Sequence, residues 1–199
     1  MIRNILFTVV FFLGIIFISI IFLPSLIMPP VVTLVGGKIM GYWAKYCLRI
    51  FLSVKINIIG RENIVDDEKF FIACSHQSMF ETFFLQTIFN SPIFILKKEL
   101  LKIVNNSKRP LLIFPQGTRV SSEDRPKFKK GTGRIYEALK IKCQPVALNS
   151  GYVWPKNKQL SNNKTITVSI LKPISPGLDK EKFINLLQNN IYSELDKMN

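Results

Sequence analysis

The residues best suited to chemistry lie in the stretch 75–81, which reads Ser-His-Gln-Ser-Met-Phe-Glu. His76 is the only histidine of the 199-residue chain, and Glu81 follows it by five positions. Imidazole exchanges protons near neutral pH without a large pKa shift. A carboxylate that accepts a hydrogen bond from one ring nitrogen fixes the tautomer, so that the other nitrogen can take a proton from a hydroxyl group. The pair therefore predicts general base chemistry at His76, with Glu81 as its partner.

The spacing of this pair places a condition on the local fold. Residues five apart on a regular helix point about 140° apart and would not meet. They meet if His76 lies in a loop and Glu81 in the first turn of a helix, and the capping-box pattern of Ser78 and Glu81 favours that placement. The alternative is that Glu81 only caps the helix and that His76 has no chemical role. No Gly-x-Ser-x-Gly sequence is present, and Ser78 is explained as a cap, so a serine nucleophile is not predicted.

A second polar loop follows the apolar run Leu111–Phe114, which predicts a buried strand. In this loop Gly117 allows close backbone approach, Thr118 offers a hydroxyl group, and Arg119 offers a fork of donors. Such a group at the carboxyl end of a parallel strand suits a phosphate. The alternative is a surface turn with a solvated arginine.

The apolar pattern from residue 55 onward alternates short strand-like runs with helical ones. This alternation predicts an α/β domain with a mostly parallel sheet flanked by helices. The predicted strands are Lys55–Ile59, Phe70–Cys74, Ile93–Leu96, Leu111–Phe114, Pro145–Leu148 and Thr165–Leu171, and the predicted helices are Met79–Phe89, Gly133–Ile141 and Lys180–Met198.

Residues 1–54 predict a membrane anchor that precedes the α/β domain of residues 55–199. Ile5–Leu23 carries no charge, and a helix of that length spans about 28 Å, close to the bilayer hydrocarbon core. A signal peptide fits less well, because no small-x-small site follows. After a Pro-Pro turn, residues 31–54 predict an amphipathic helix whose cations and aromatics suit the headgroup region. The two helices either span the bilayer or form a hairpin in one leaflet, and a spanning arrangement places the second domain in the cytoplasm.

The charge balance favours anionic partners. There are 27 Lys+Arg against 13 Asp+Glu, a formal charge of +14, which suits phosphate-bearing substrates, acidic lipid surfaces or nucleic acid. Nucleic acid is not expected as a partner, because no nucleic-acid-binding motif is present and nucleic-acid binding would not explain the N-terminal anchor. Cys47, Cys74 and Cys143 are far apart, so neither a disulfide framework nor a metal site is expected.

Three stretches, taken together and in order, resemble the lysophosphatidate and glycerol-phosphate acyltransferase family. The first is 75–81, where the family has a His, four residues and an acid. The second is Phe-Pro-Gln-Gly-Thr-Arg at 114–119, where the family has Phe-Pro-Glu-Gly-Thr-Arg. The third is Gln-Pro-Val-Ala-Leu-Asn-Ser-Gly at 144–151. Residues 97–100, Lys-Lys-Glu-Leu, are similar to the family's segment after the first helix.

The resemblance implies an enzyme that moves a fatty acyl group from a thioester donor to the free hydroxyl of 1-acylglycerol 3-phosphate in phospholipid synthesis. The donor would be acyl-CoA or acyl carrier protein, and no other cofactor is implied. His76 would be the base and Glu81 its partner. The acceptor would bind at Gln116, Gly117, Thr118 and Arg119. The expected location is the cytoplasmic (inner) membrane, in contact with its phospholipid surface, with the catalytic domain facing the cytoplasm.

The sequence departs from the family pattern at three places. Glu81 replaces the commoner Asp, and Gln116 replaces the usual Glu. Only residues 101–110 separate the segment 97–100 from the next strand, where the family has a longer stretch with an acceptor-binding Arg. Loss of such a block would remove core and part of the phosphate site, so we expect the fold to be retained in outline and the activity to be reduced or lost. The alternative function is therefore that of a membrane-anchored, catalytically impaired relative that binds lipid without turnover.

Overall fold

A six-stranded sheet lies at the centre of the computed structural model, which describes residues 2–66, 69–94, 109–156 and 159–198. The strand order is β1-β6-β5-β2-β4-β3, and each neighbouring pair is parallel except β5 with β6. The mostly parallel sheet predicted from the sequence is confirmed. The strands are β1 Lys55–Ile59, β2 Phe70–Cys74, β3 Ile93–Phe94, β4 Leu111–Ile113, β5 Lys142–Leu148 and β6 Thr165–Ile170.

Five α-helices flank this sheet within the described ranges. They are α1 Ile2–Ile21, α2 Pro30–Leu52, α3 Phe80–Ile88, α4 Lys130–Leu139 and α5 Lys180–Asp196. One apolar cluster joins α1, α2 and α3 to one face of the sheet, and a second joins α4 and α5 to the other face. The helical spacing of apolar residues in α5 is therefore explained by burial against the sheet.

Strand β2 shows why its sequence is an unbroken apolar run. All five of its residues are buried. Phe70, Ile72 and Cys74 belong to the cluster that contains α3, whereas Phe71 and Ala73 belong to the cluster that contains α4 and α5. A parallel strand covered on both faces requires apolar residues at every position. The run consequently leads the chain, without a polar interruption, to Ser75 at the edge of the sheet.

The predicted boundaries of helix α4 are wrong at both ends. The helix begins at Lys130 rather than at Gly133, so Gly133 is an interior position, where α4 approaches α5 closely. A Cβ atom there would lie 2.8 Å from Ile184 Cδ1 and 3.0 Å from the carbonyl oxygen of Lys180. The helix ends at Leu139 because Lys140 adopts a left-handed conformation with φ of 53°. Helix propensity alone disfavours a start near Gly131 and Gly133, but packing against α5 overrides it.

Strand β5 also begins earlier than predicted. It starts at Lys142 rather than Pro145, because Cys143 pairs with Phe71 of β2 and bridges to Ile174. The predicted strand Ile93–Leu96 is observed at its first two residues, and its last two lie outside the described residues. The segment 97–100 and residues 101–108 of the short connection lie outside them as well.

The two N-terminal helices form an antiparallel hairpin. Arg3 at the start of α1 donates hydrogen bonds to the Phe51 carbonyl (2.7 Å) and to Ser53 Oγ (2.8 Å), next to the end of α2. Further along, Trp43 of α2 donates from Nε1 to the Phe11 carbonyl of α1 (3.1 Å). The predicted pair of helices joined by a proline-containing turn is thus present, with bounds shifted by one to three residues.

Helix α1 has one covered and one uncovered face. Phe7 and Phe11 are buried, and their rings stand edge-on to Trp154 of the α/β domain at centroid distances of 5.3 and 5.0 Å. The other side of the hairpin is exposed and apolar, and includes Ile16, Phe17, Ile20, Leu23, Leu26 and Ile27. Among the described helices, α1 is long and apolar enough to cross a bilayer by length and composition. The hairpin therefore shares a core with the sheet and also offers an apolar surface.

Candidate active site

Three loops meet at one edge of the sheet because they follow three adjacent parallel strands. Residues 75–79 follow β2, residues 114–119 follow β4, and residues 149–154 follow β5. The strand order β5-β2-β4 places the first loop between the other two. In open parallel sheets the carboxyl edge is where ligands bind. All three stretches that carry the family resemblance are thus brought to the same place.

The imidazole of His76 lies against the carboxylate of Glu81. His76 is in the loop and Glu81 is in the first turn of α3, as the spacing required. His76 Nδ1 lies 3.4 Å from Glu81 Oε2, and the two side chains are 15% and 0% exposed. The imidazole stacks on Phe114 with a centroid distance of 3.9 Å and an interplanar angle of 13°. Nδ1 makes no aligned hydrogen bond to any described residue, and catalytic contacts of this kind commonly tighten only when substrate is bound.

Glu81 also accepts hydrogen bonds from backbone N–H groups just before its helix. Its carboxylate accepts hydrogen bonds from the backbone N–H of Ser78 (3.0 Å) and of Gln77 (3.3 Å), and Ser78 Oγ accepts from the N–H of Phe80 (2.9 Å). The bond from the Ser78 N–H to Glu81 is one half of the predicted capping box. The other half differs from the prediction, because Ser78 Oγ accepts from the residue two positions on and the N-cap of α3 is Met79. The Ser150 hydroxyl, from the loop after β5, donates to Glu81 Oε1. The bonds to backbone N–H groups and the histidine contact therefore coexist on one carboxylate.

Gln116 ties the second loop to the first. Its Oε1 accepts a 2.7 Å hydrogen bond from the backbone N–H of His76, and the side chain is buried with 2% exposure. The N–H of Val120 donates to the His76 carbonyl oxygen (3.0 Å). Neutral Gln in place of the family's usual Glu keeps the acceptor oxygen that this contact uses. Gln116 therefore holds the histidine loop in position through the backbone of His76.

The residues after Gln116 are more open. Gly117 and Thr118 are exposed and Arg119 is half-buried. Gly117 has a φ of 75°, a left-handed conformation that glycine adopts at little cost. Arg119 lines an open cavity of about 520 Å³, whose wall also includes Gln77 and Gly151 from the other two loops. A phosphate-sized anion in this cavity would thus have a guanidinium group beside it.

The six predicted site residues therefore divide into three groups. His76 and Glu81 are in contact and Gln116 supports them. Arg119 lines the neighbouring cavity, whereas Gly117 and Thr118 are exposed and lie outside its lining. Sequence reasoning assigned no role to Ser150, which contacts Glu81. The signal that could have found it was its place in the third family-like stretch.

The thiol nearest to this site is not set up as a nucleophile. Cys74 is fully buried, and burial together with the charge of Glu81 raises its pKa well above the ordinary value. A buried protonated thiol is a poor nucleophile. Within the described ranges, no three His, Cys, Asp or Glu side chains cluster as metal ligands would.

Comparison with known proteins agrees with the resemblance in the sequence. The Acyltransferase family model matches residues 99–149, which include β4, the Arg119 loop and α4. The chain is 27% identical to a 1-acyl-sn-glycerol-3-phosphate acyltransferase of Pseudomonas aeruginosa over 164 residues, 64% of this chain and 63% of that protein. The predicted relationship to the acyltransferase family is confirmed.

Two further similarities extend this finding. A 1-acyl-sn-glycerol-3-phosphate acyltransferase of Saccharomyces cerevisiae is 27% identical over 194 residues, which cover 75% of this chain and 63% of that protein. The chain thus spans somewhat less than two thirds of the length of both relatives. The crystal structure of the 1-acyl-sn-glycerophosphate acyltransferase PlsC from Thermotoga maritima superposes with a TM-score of 0.81 at 20% identity, covering 98% of this chain and 97% of that one. This last likeness shows the acyltransferase fold.

Proposed function

We propose that this protein transfers a fatty acyl group from a thioester to the free hydroxyl of 1-acylglycerol 3-phosphate, which yields phosphatidate. His76 takes the hydroxyl proton, and the hydroxyl oxygen attacks the thioester carbonyl carbon. The carbon–sulfur bond then breaks, and the leaving thiolate receives the proton from the imidazolium. Glu81 stabilises that imidazolium and holds the tautomer with its proton on Nδ1. The two curated relatives carry the name of this activity.

The observation that carries the proposal is the contact between His76 and Glu81 at the carboxyl edge of the sheet, beside the Arg119 cavity. A base and an anion-binding group must serve the same acceptor molecule, because its hydroxyl reacts while its phosphate is held. The backbone bonds of His76 to Gln116 and Val120 keep the two loops together.

Arg119 is the proposed phosphate ligand. Glu123 and Asp124 line the same cavity, but no described carboxylate forms an ion pair with Arg119, so its donors are available to an anion. Gly117 and Thr118 precede Arg119 in the same loop and are exposed, but they do not line the cavity. Charge-assisted hydrogen bonds from a guanidinium to a phosphate are among the stronger polar contacts in proteins. The proposed donor is acyl-CoA or acyl carrier protein, and the mechanism uses no other cofactor.

The apolar hairpin is proposed to lie in one leaflet of the cytoplasmic membrane. Asn4, Phe7 and Phe11 hold the first half of α1 on the α/β domain. From Phe11 the helix continues for ten residues to Ile21, about 15 Å, which is roughly half of the hydrocarbon thickness. A hairpin of this reach would bring the site close to the phospholipid surface on the cytoplasmic side. The positive charge of the chain suits an anionic membrane surface.

Phosphatidate formation by the purified protein of residues 1–199 tests the proposal. The protein is given lysophosphatidate with acyl-CoA, or with acyl carrier protein as donor, and the product is measured by mass spectrometry. The short 101–110 connection alone predicts reduced or lost activity, but the intact contact between His76 and Glu81 leads us to expect turnover by the unaltered chain. His76→Ala should lower kcat by about 10²–10⁴-fold. Arg119→Ala should raise the KM for lysophosphatidate by about 10–100-fold.

Arg134→Ala is the matched control for the arginine change. Arg134 is exposed on α4 and does not line the Arg119 cavity, so its removal should leave kcat and KM unchanged. Absence of turnover with either donor, together with intact lysophosphatidate binding, would refute the proposal and support the impaired lipid-binding alternative.

A further inference from the structure

We infer that Ser150 is a positioning residue that holds the Glu81 carboxylate against His76. This inference rests on the proposed function. Ser150 is fully buried in the short 3-10 turn after β5, and its hydroxyl donates to Glu81 Oε1. Buried hydroxyl groups that donate to a carboxylate form strong hydrogen bonds, since the acceptor is charged and water is excluded.

The two carboxylate oxygens of Glu81 have different principal partners. Oε2 contacts His76 Nδ1 at 3.4 Å and accepts the Ser78 N–H at 3.0 Å. Oε1 accepts the Ser150 hydroxyl, and it has longer contacts to the N–H groups of Gln77 (3.3 Å) and Ser78 (3.2 Å). Rotation of the carboxylate about its last side-chain bond would exchange the oxygens. Ser150 opposes this rotation, because it is the donor that comes from a different strand and loop.

The position of Ser150 is itself fixed from two sides. The N–H of Gly151 donates to Gln77 Oε1 at 3.1 Å, which joins the Ser150 turn to the histidine loop. The N–H of Trp154 donates to the Ser150 carbonyl at 2.8 Å, and the Trp154 ring packs on Phe11 of α1. The donor is therefore held by the sheet edge and by the docked hairpin. A hydroxyl with this support can fix a carboxylate to within a fraction of an ångström.

The bond from Ser150 to Glu81 has a consequence for the tautomer of His76. With the carboxylate held, His76 keeps its proton on Nδ1 and presents the unprotonated Nε2 to the acceptor hydroxyl. When the Ser150 hydroxyl is removed, Glu81 keeps its bonds to the N–H groups of Gln77 and Ser78 but loses the donor to Oε1 that comes from a different loop. The imidazole should then populate both tautomers, and only one of them can act as base.

The test compares Ser150→Ala with the unaltered protein in detergent micelles. Because His76 is the only histidine, its ¹⁵N resonances report the tautomer without assignment ambiguity. We expect one tautomer in the unaltered protein, a mixture in Ser150→Ala, and a fall in kcat of about 10–100-fold at unchanged KM for lysophosphatidate. Ser150→Thr, which keeps the hydroxyl group, should restore the single tautomer and most of kcat.

Ser169→Ala is the matched control. Ser169 is also a buried serine that donates to a carboxylate, Glu194, at 2.8 Å, but it lies on β6 and α5 supplies its partner. Its loss should reduce thermal stability and leave the tautomer and kcat unchanged. An unchanged tautomer and kcat in Ser150→Ala would overturn the inference while leaving the proposed function standing, provided that His76→Ala still abolishes turnover. A loss of kcat that Ser150→Thr does not restore, or that Ser169→Ala reproduces, would overturn it too.

Discussion

Removal of the Phe11 ring tests whether the N-terminal hairpin is part of the folded core or an independent anchor. Phe11 is 0% exposed and contacts the rings of Phe7, Phe12, Phe83 and Trp154 at centroid distances between 5.0 and 5.6 Å. Substitution of a buried Phe by Ala costs about 3–5 kcal/mol, through lost transfer free energy and the cavity left behind. For a chain of this length, each kcal/mol shifts Tm by about 2–4 °C. Phe11→Ala should therefore lower Tm by about 6–20 °C.

Phe17→Ala on the same helix is the control for this change. Phe17 is 64% exposed on the uncovered face of the hairpin, so its loss should change the free energy of unfolding by about 0.5 kcal/mol or less. The same substitution should weaken binding to phospholipid vesicles by about 10-fold or more, because it removes an apolar ring from the proposed membrane surface. Phe11→Ala should retain vesicle binding in the protein that remains folded.

Two measurements decide between these outcomes. Thermal unfolding in detergent micelles, followed by tryptophan fluorescence, reports directly on the contact, because Trp154 lies against Phe11. Flotation with vesicles reports on the exposed face. Equal and small Tm shifts for both variants would refute the reasoning. They would show that α1 contributes nothing to the core and that residues 1–54 fold independently of residues 55–199.

Three further predictions follow from buried groups. Glu81→Gln keeps the size of the side chain but removes its charge, so kcat for phosphatidate formation should fall about 10²–10⁴-fold; an effect confined to KM would contradict its role as partner of the base. Gly133→Ala should lower the free energy of unfolding, because its Cβ would lie 2.8–3.0 Å from atoms of α5. In Gly131→Ala on the same helix, the added Cβ meets nothing within 4 Å, so the free energy of unfolding should rise by up to about 1 kcal/mol. Denaturant titration in micelles measures both variants, and a Gly133→Ala variant more stable than Gly131→Ala would contradict the prediction. Burial raises the pKa of the Cys74 and Cys143 thiols well above the ordinary value, so neither should react with iodoacetamide at pH 8 in the folded protein; modification of either, detected by mass spectrometry, would contradict their burial.

Local patterns were sufficient wherever the physical cause is local. The apolar run of β2, the helical spacing of α5 and the bond from the Ser78 N–H to Glu81 each depend on a few neighbouring residues. The placement of His76 in a loop before helix α3 followed from the same reasoning. The predicted boundaries of α4 and β5 were wrong, because contacts with distant segments override local helix and strand propensity there.

The amino-acid sequence by itself determined the chemistry available to this protein: one imidazole, a carboxylate five positions later, an arginine in a glycine-containing loop, and an apolar N-terminus. The tertiary structure decided which of these groups meet. The strand order β5-β2-β4 brings together loops that are about 35 to 75 positions apart along the chain. As a result, the Ser150 hydroxyl bonds to Glu81, and the backbone N–H of His76 bonds to Gln116. It also gives α1 a covered face and an uncovered one. Sequence patterns describe the faces of single elements, whereas contacts between elements depend on strand pairing and packing over long separations.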